Sequence, residues 1–78
     1  MVHELKILPK YFNEILQDNK SFELRRDRGF EVGDTIVLNE WIEDEKKYTG
    51  FNLVKSIKYI SKDVAQYGLM DGFVILSI

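Results

Sequence analysis

The chain has 78 residues, 45% apolar and 13% aromatic, which is typical of one globular domain spanning residues 1–78 with no room for a second. It has no cysteine and one histidine, so we expect no disulfide, no thiol nucleophile, no metal site and no cofactor. The net charge of −2 argues against bulk attraction to nucleic acid, and without a membrane-length apolar run we expect a cytoplasmic protein.

The first predicted elements are a short strand and an amphipathic helix. Residues 3–7 alternate loosely, and Pro9 then lies where proline is favoured, in the first turn of a helix. The apolar residues that recur at helical spacing are Leu8, Tyr11, Phe12, Ile15 and Leu16. Asp18-Asn19 ends the helix, with Asn19 expected in the left-handed conformation. The pattern predicts a helix lying on a sheet.

The second predicted strand is unusually charged. Strands favour β-branched and aromatic residues, yet the stretch 20–34 holds every arginine of the chain. Alternation with period two predicts that Phe22 and Leu24 face the core, whereas Glu23 and Arg25 share the opposite face. A role outside the hydrophobic core is the natural explanation for this charge.

The rest of the chain predicts three further strands. Gly29 is free to adopt positive φ in a charged connection, and residues 32–34 form a tight turn into a central strand over 35–41. Residues 48–60 alternate over a long span, as a curved or bulged strand does, and residues 73–78 are apolar and buried. About five strands, with one helix between the first two, predict an α+β, mainly β fold: a small barrel-like sheet plugged by the helix.

Charge is unevenly distributed along the chain. Residues 20–28 carry four positive and two negative charges, whereas residues 40–45 carry four carboxylates and no basic side chain. A local cationic patch on an acidic protein suits one small anionic or nucleotide-like ligand better than a long polyanion.

Three side chains of this patch have both a structural and a functional interpretation. Lys20 is either a solvated lysine at a helix-to-strand junction or a cation, or general base, at the mouth of a cleft. Glu23 and Arg25 are either an exposed ion pair, worth about 0–1 kcal/mol, or an acceptor and a planar donor fork that read the edge of a base.

The other candidate residues also have a structural and a functional interpretation. Arg26 and Arg28 lie in the connection, so a solvent-facing or phosphate-positioning role fits them better than a central one. For His3, a structural role as a partly buried strand residue is favoured over a contact with a ligand. The aromatic side chains Trp41, Tyr48 and Phe30 are expected in the core unless one borders a cleft and stacks on a base.

The order of elements resembles the ASCH domain of the PUA-like superfamily, in a compact phage and bacterial subgroup. The matching segments are His3-Glu4-Leu5-Lys6, Pro9-Lys10-Tyr11-Phe12 with Ile15, residues 20–25, residues 32–34, Tyr48-Thr49-Gly50 and residues 72–76. The most specific part is the helix end followed by Lys-x-x-Glu-x-Arg and then Gly-Asp. The family usually has glycine two residues before the lysine, where this chain has Asp18.

The resemblance implies a barrel with a cleft beside the helix. In it Lys20, Glu23 and Arg25 would face a ligand, and the matching segments make His3, Lys6 and Tyr48 further candidate ligand contacts. In the wider superfamily that cleft is associated with RNA or modified nucleosides. We therefore expect an RNA- or nucleotide-binding module.

Two alternatives remain open. Some ASCH proteins are similar to amidohydrolases of acylated nucleosides that use a lysine, a threonine and a glutamate. Here Glu23 replaces the threonine, and no glutamate follows Glu45, with Asp71 the nearest substitute, so catalysis with Lys20 as base is the less favoured hypothesis. The other alternative is a module whose charged strand docks a protein partner.

Overall fold

The computed structural model describes residues 1–62, 68 and 71–78. In chain order the elements in these residues are β1 (Val2–Ile7), α1 (Pro9–Leu16), β2 (Phe22–Arg26), β3 (Thr35–Ile42), β4 (Lys47–Ser56), β5 (Tyr59–Ser61) and β6 (Phe73–Ser77). The prediction of a mainly β chain with a helix between its first two strands is confirmed. Most of the expected connection over residues 61–72 lies outside the described residues.

The described strands form two three-stranded sheets. In the first, β3 lies between β1, which is parallel to it, and β4, which is antiparallel. In the second, β6 lies between β2 and β5 and is antiparallel to both. The central position predicted for β3 is confirmed. No closed barrel is found among the described residues, so the predicted closure is not confirmed.

The prediction of one long strand over residues 48–60 is wrong, because these residues form parts of two strands, β4 and β5. The chain leaves the first sheet at Ser56 and enters the second at Tyr59. Ile57 lies between them, fully buried, and its amide donates to the carbonyl of Asp34 at 2.9 Å. The register shift occurs instead in the pairing of β3 with β4, between Asn39 and Trp41.

The core lies between the two sheets and beneath α1. Ile36 and Leu38 of β3 and Leu76 of β6 have no exposed surface. The helix packs on β3 and buries only Phe12 and Ile15. The other three members of its predicted apolar face, Leu8, Tyr11 and Leu16, are 40–55% exposed.

The helix ends through a left-handed residue, which is Asp18 (φ 60°) and not Asn19 as predicted. The amides of Asn19 and Lys20 then both donate to the carbonyl of Glu14, at 2.9 and 3.1 Å. Asp18 occupies the position where the ASCH pattern has glycine, and glycine adopts this conformation without strain. The backbone leading into Lys20 is therefore fixed by a defined turn.

The faces predicted for β2 are reversed. Glu23 is 4% exposed, whereas Phe22 and Leu24 are 47% and 43% exposed. Directly opposite residues of an antiparallel pair share a face, and Glu23 lies opposite the fully buried Leu76. The alternation is right, but the charged side of this edge strand is the one that faces inward.

Candidate functional site

Lys20, Glu23 and Arg25 form one ion cluster, and its centre is buried. The Lys20 ammonium donates to Glu23 Oε1 at 2.6 Å. Arg25 donates to Glu23 Oε2 from Nε at 2.9 Å, and its Nη2 lies 2.7 Å from the same oxygen. The side chains of Lys20 and Arg25 are 18% and 24% exposed, against 6% for Glu23. Two cations therefore flank a buried carboxylate and reach outward from it.

Arg25 also connects the two sheets. Its Nη2 donates to the backbone carbonyl of Lys6, in β1, at 2.7 Å. Both β1 and β2 are edge strands of their sheets, so this contact spans the gap between them. Position 25 is thereby fixed at the floor of a cleft between the two sheets.

A cleft of about 470 Å³ opens above this cluster. Two aromatic side chains, Tyr11 of α1 and Phe22 of β2, lie at its walls, 40% and 47% exposed. The Lys20 ammonium lies 4.9 Å from the centroid of each ring. The volume is within the range usual for small-molecule sites, and apolar walls with a few convergent polar groups are typical of them.

Lys6 and Tyr48 lie in a neighbouring concavity of about 440 Å³. The Lys6 ammonium is 3.9 Å from the ring centroid of Trp41 and 5.9 Å from that of Tyr48, and the two rings pack edge to face. Lys6 lines both concavities, whereas Tyr48 does not line the cleft. Of these two predicted contacts, only Lys6 lines the cleft, and its ammonium lies over Trp41.

Arg26 and Arg28 are exposed and lie beyond the end of the cleft. With Arg25 they line a third concavity, of about 390 Å³, and the Arg26 guanidinium stacks 4.8 Å from the ring of Phe73. Their exposure is consistent with the predicted peripheral position, but the placement of Arg26 in the connection is wrong, because Arg26 is the last residue of β2 and pairs with Phe73.

His3 does not line the cleft. It is 3% exposed, its Nε2 donates to Asp34 Oδ2 at 2.8 Å, and its ring packs against the buried Phe30. This hydrogen bond is the largest of several contacts that lower the pKa of Asp34 to about 2, together with the Met1 ammonium and the Glu31 amide, against an opposing effect of burial. The pair joins β1 to the turn before β3, so the structural interpretation of His3 is the one the geometry favours.

Of the residues considered for hydrolysis, Lys20 and Glu23 are in contact at 2.6 Å, but the carboxylates considered as the third member lie elsewhere. Asp71 and Glu45 are exposed, and neither lines the cleft. In the described part of the chain no three His, Cys, Asp or Glu side chains are grouped as metal ligands, and no helix there is long and apolar enough to cross a bilayer.

Comparison with known proteins adds a family. The family model described as "Domain of unknown function (DUF3850)" matches residues 2–78, almost the whole chain. The chain belongs to the DUF3850 family. This DUF3850 protein is also similar to a relative from Escherichia phage P2, described as "Uncharacterized 12.9 kDa protein in GpA 3'region", at 44% identity over 43 residues. That match covers 54% of the DUF3850 chain but only 39% of the phage protein.

Sequence reasoning missed the two aromatic side chains of the DUF3850 cleft. Helical spacing predicts Tyr11 on the buried face of the helix, and alternation with hydrophobicity predicts Phe22 on the core face of β2. The available signal was the strand itself: if Glu23 and Arg25 face inward, alternation must turn Phe22 outward. Its position at the very start of β2 then brings it to the rim.

Proposed function

We propose that this DUF3850 domain binds RNA or a nucleotide and holds a base in the cleft between α1 and β2. The observation that carries the proposal is the buried Glu23 carboxylate, flanked by Lys20 and Arg25, at the floor of a cleft with two exposed aromatic walls. A buried ion cluster is weak support for stability, since apolar residues of similar volume often serve as well. A recognition role accounts better for its presence.

The cluster retains hydrogen-bonding capacity for a ligand. Arg25 uses Nε and Nη2 in its contacts with Glu23 and Lys6, which leaves Nη1 to donate to a base carbonyl or a phosphate oxygen. The Lys20 ammonium has three hydrogens, and one of them is donated to Glu23. Glu23 can accept from an exocyclic amine. Acceptor and donors side by side match the edge of a nucleobase.

Tyr11 and Phe22 offer ring faces on which a base can stack. Such stacking is worth about 1–3 kcal/mol per base and tolerates every base. The net charge of the cluster is +1, from two cations and one carboxylate, so we expect a modest salt dependence corresponding to one or two phosphates. This arrangement suits a single nucleotide or a short RNA segment. It does not suit a protein that coats a long strand of nucleic acid.

We also propose that this domain has the ASCH-type, PUA-like fold. Support for an ASCH-type, PUA-like domain comes from the helix between the first two strands and from a cleft beside it whose floor is formed by Lys20, Glu23 and Arg25. In this proposal β1 and β2 are the barrel edges that face each other across the cleft, linked by Arg25. A nucleotide ligand makes the cytoplasm the expected compartment.

Fluorescence anisotropy with labelled RNA and a nucleotide panel at low salt tests the proposal. The wild type should bind, and Tyr11→Ala and Phe22→Ala should each weaken binding about 5- to 100-fold, the equivalent of one lost stacking contact. Tyr59→Ala is the matched control, because Tyr59 is an aromatic on a strand, 63% exposed, that does not line the cleft. Absence of wild-type binding to any RNA, DNA or nucleotide would refute the proposal.

A further inference from the structure

A further, smaller concavity of about 200 Å³ is lined in part by Lys20. It is formed where the end of α1 meets the ends of β4 and β6. Lys20 is shared with the cleft, and Lys55 and Lys58 come from the end of β4 and the residues after it. The other polar residues of the lining are Asp18, Ser21 and Ser56. Lysine ammonium groups and serine hydroxyls are donors that bind oxyanions.

Lys55 occupies a position where an apolar side chain is expected. It lies directly opposite Ile36, which is fully buried, and one alternation step from Leu53, which packs on the core. Its side chain therefore starts on the core face of β4 and is half-buried. Among residues 1–62, 68 and 71–78, no carboxylate lies within ion-pair distance of Lys55 or Lys58. A bound anion would stabilise the Lys55 ammonium at this position, because an unpaired half-buried charge is unfavourable.

Backbone hydrogen bonds fix the walls of this concavity. The Lys58 amide donates to the carbonyl of Ser77 at 2.7 Å, and the Ile78 amide donates to the carbonyl of Ser21 at 3.0 Å. Ile15 and Ile78, both buried, lie at its base. The backbone that carries these lysines and serines is therefore held in place before a ligand binds.

We propose that this concavity, the Lys20–Lys55–Lys58 pocket, binds the phosphate group of the nucleotide whose base lies in the cleft. The proposal rests on the proposed function, and Lys20 is the wall that the two cavities share. Asp18 contributes a carboxylate to the lining and Lys20 is already paired with Glu23, so Lys55 and Lys58 leave a net charge of +1 for a ligand there. The expected ligand class is a nucleoside monophosphate, or an RNA segment with a terminal phosphate.

Isothermal titration with a nucleoside, its 5′-monophosphate and inorganic phosphate tests the assignment. The monophosphate should bind about tenfold or more tightly than the nucleoside, and Lys55→Met should remove that advantage while nucleoside affinity stays unchanged. Asp18→Asn should strengthen monophosphate binding by removing a like charge. Lys47→Met, at the exposed opposite end of β4, is the matched control and should change neither affinity.

The outcomes separate this proposal from the one on which it rests. Nucleoside binding that gains nothing from the phosphate, or a gain that Lys55→Met leaves intact, overturns the phosphate pocket and leaves the base cleft standing. Binding of inorganic phosphate that requires Lys55, without any nucleoside binding, supports the pocket and overturns the cleft. RNA oligonucleotides with and without a 5′-phosphate show whether the phosphate belongs to a mononucleotide or to the end of an RNA. Tighter binding of the phosphorylated RNA than of both the unphosphorylated RNA and the mononucleotide supports the end of an RNA.

Discussion

Replacing Glu23 with glutamine should destabilise the protein strongly. The Glu23 carboxylate is 4% exposed and accepts contacts from Lys20 and Arg25 at 2.6–2.9 Å. Glutamine keeps the volume but turns an amide donor toward one of the two cations. Hydrogen bonds to charged groups contribute about 1.5–3 kcal/mol each, and loss of one partner from a buried pair costs about 3–5 kcal/mol. Because both cations reach water, we expect a loss of about 2–3 kcal/mol.

Urea denaturation and thermal melting measure this loss, which corresponds to a fall in Tm of about 10–20 °C for a domain of this length. Glu45→Gln is the control. Glu45 also accepts from a lysine, Lys47, at 2.9 Å, but the two side chains are 54% and 61% exposed, so a change within about 0.5 kcal/mol is expected. A Glu23→Gln effect as small as that of the control would mean that the cluster is solvated and that its burial does not constrain the site.

Three further predictions concern the scaffold. Folding lowers the pKa of Asp34 from 3.8 to about 2, so the stability supplied by its ionised form is present above about pH 4 and is lost as the pH falls toward 2. In Asp34→Asn the midpoint of urea unfolding should therefore depend less on pH between about 4 and 2 than it does in the wild type. Leu38→Ala should cost about 2–5 kcal/mol in the same assay, against less than about 0.5 for Val54→Ala, since Leu38 has no exposed surface and Val54 is 63% exposed. Gly33→Val should cost about 1–2 kcal/mol or more, because Gly33 has a φ of 95°; melting curves check it.

Local chemistry was enough to predict most of the elements. The Pro9 start and helical spacing predicted α1, and the apolar run through Ile36 and Leu38 predicted a central strand, since only a strand covered on both sides is apolar on both faces. The turn before β3 followed from Gly33, whose positive φ a side chain disfavours.

The faces of β2 could not be predicted from the strand alone. Alternation defines two faces but does not identify the inner one, and hydrophobicity assigned it to Phe22 and Leu24. The charged face turns inward because Lys20 and Arg25 neutralise Glu23 and because Arg25 finds a carbonyl of β1. Lys20 and Arg25 are only three and two residues from Glu23, but the β1 carbonyl belongs to Lys6, 19 residues before Arg25, and is brought to the cluster by tertiary structure.

Stability and recognition are separable at this site only through its aromatic walls. Arg25 holds both Glu23 and the β1 carbonyl, so its removal would weaken folding and binding together. Tyr11 and Phe22 are about half exposed, and their truncation should leave folding nearly intact while removing the stacking surfaces. A bound nucleotide should then raise the unfolding free energy of the wild type by about 2.7 kcal/mol at a concentration of 100 times Kd, and should raise that of Tyr11→Ala much less at the same concentration. Equal stabilisation of the two proteins would place the ligand outside this cleft.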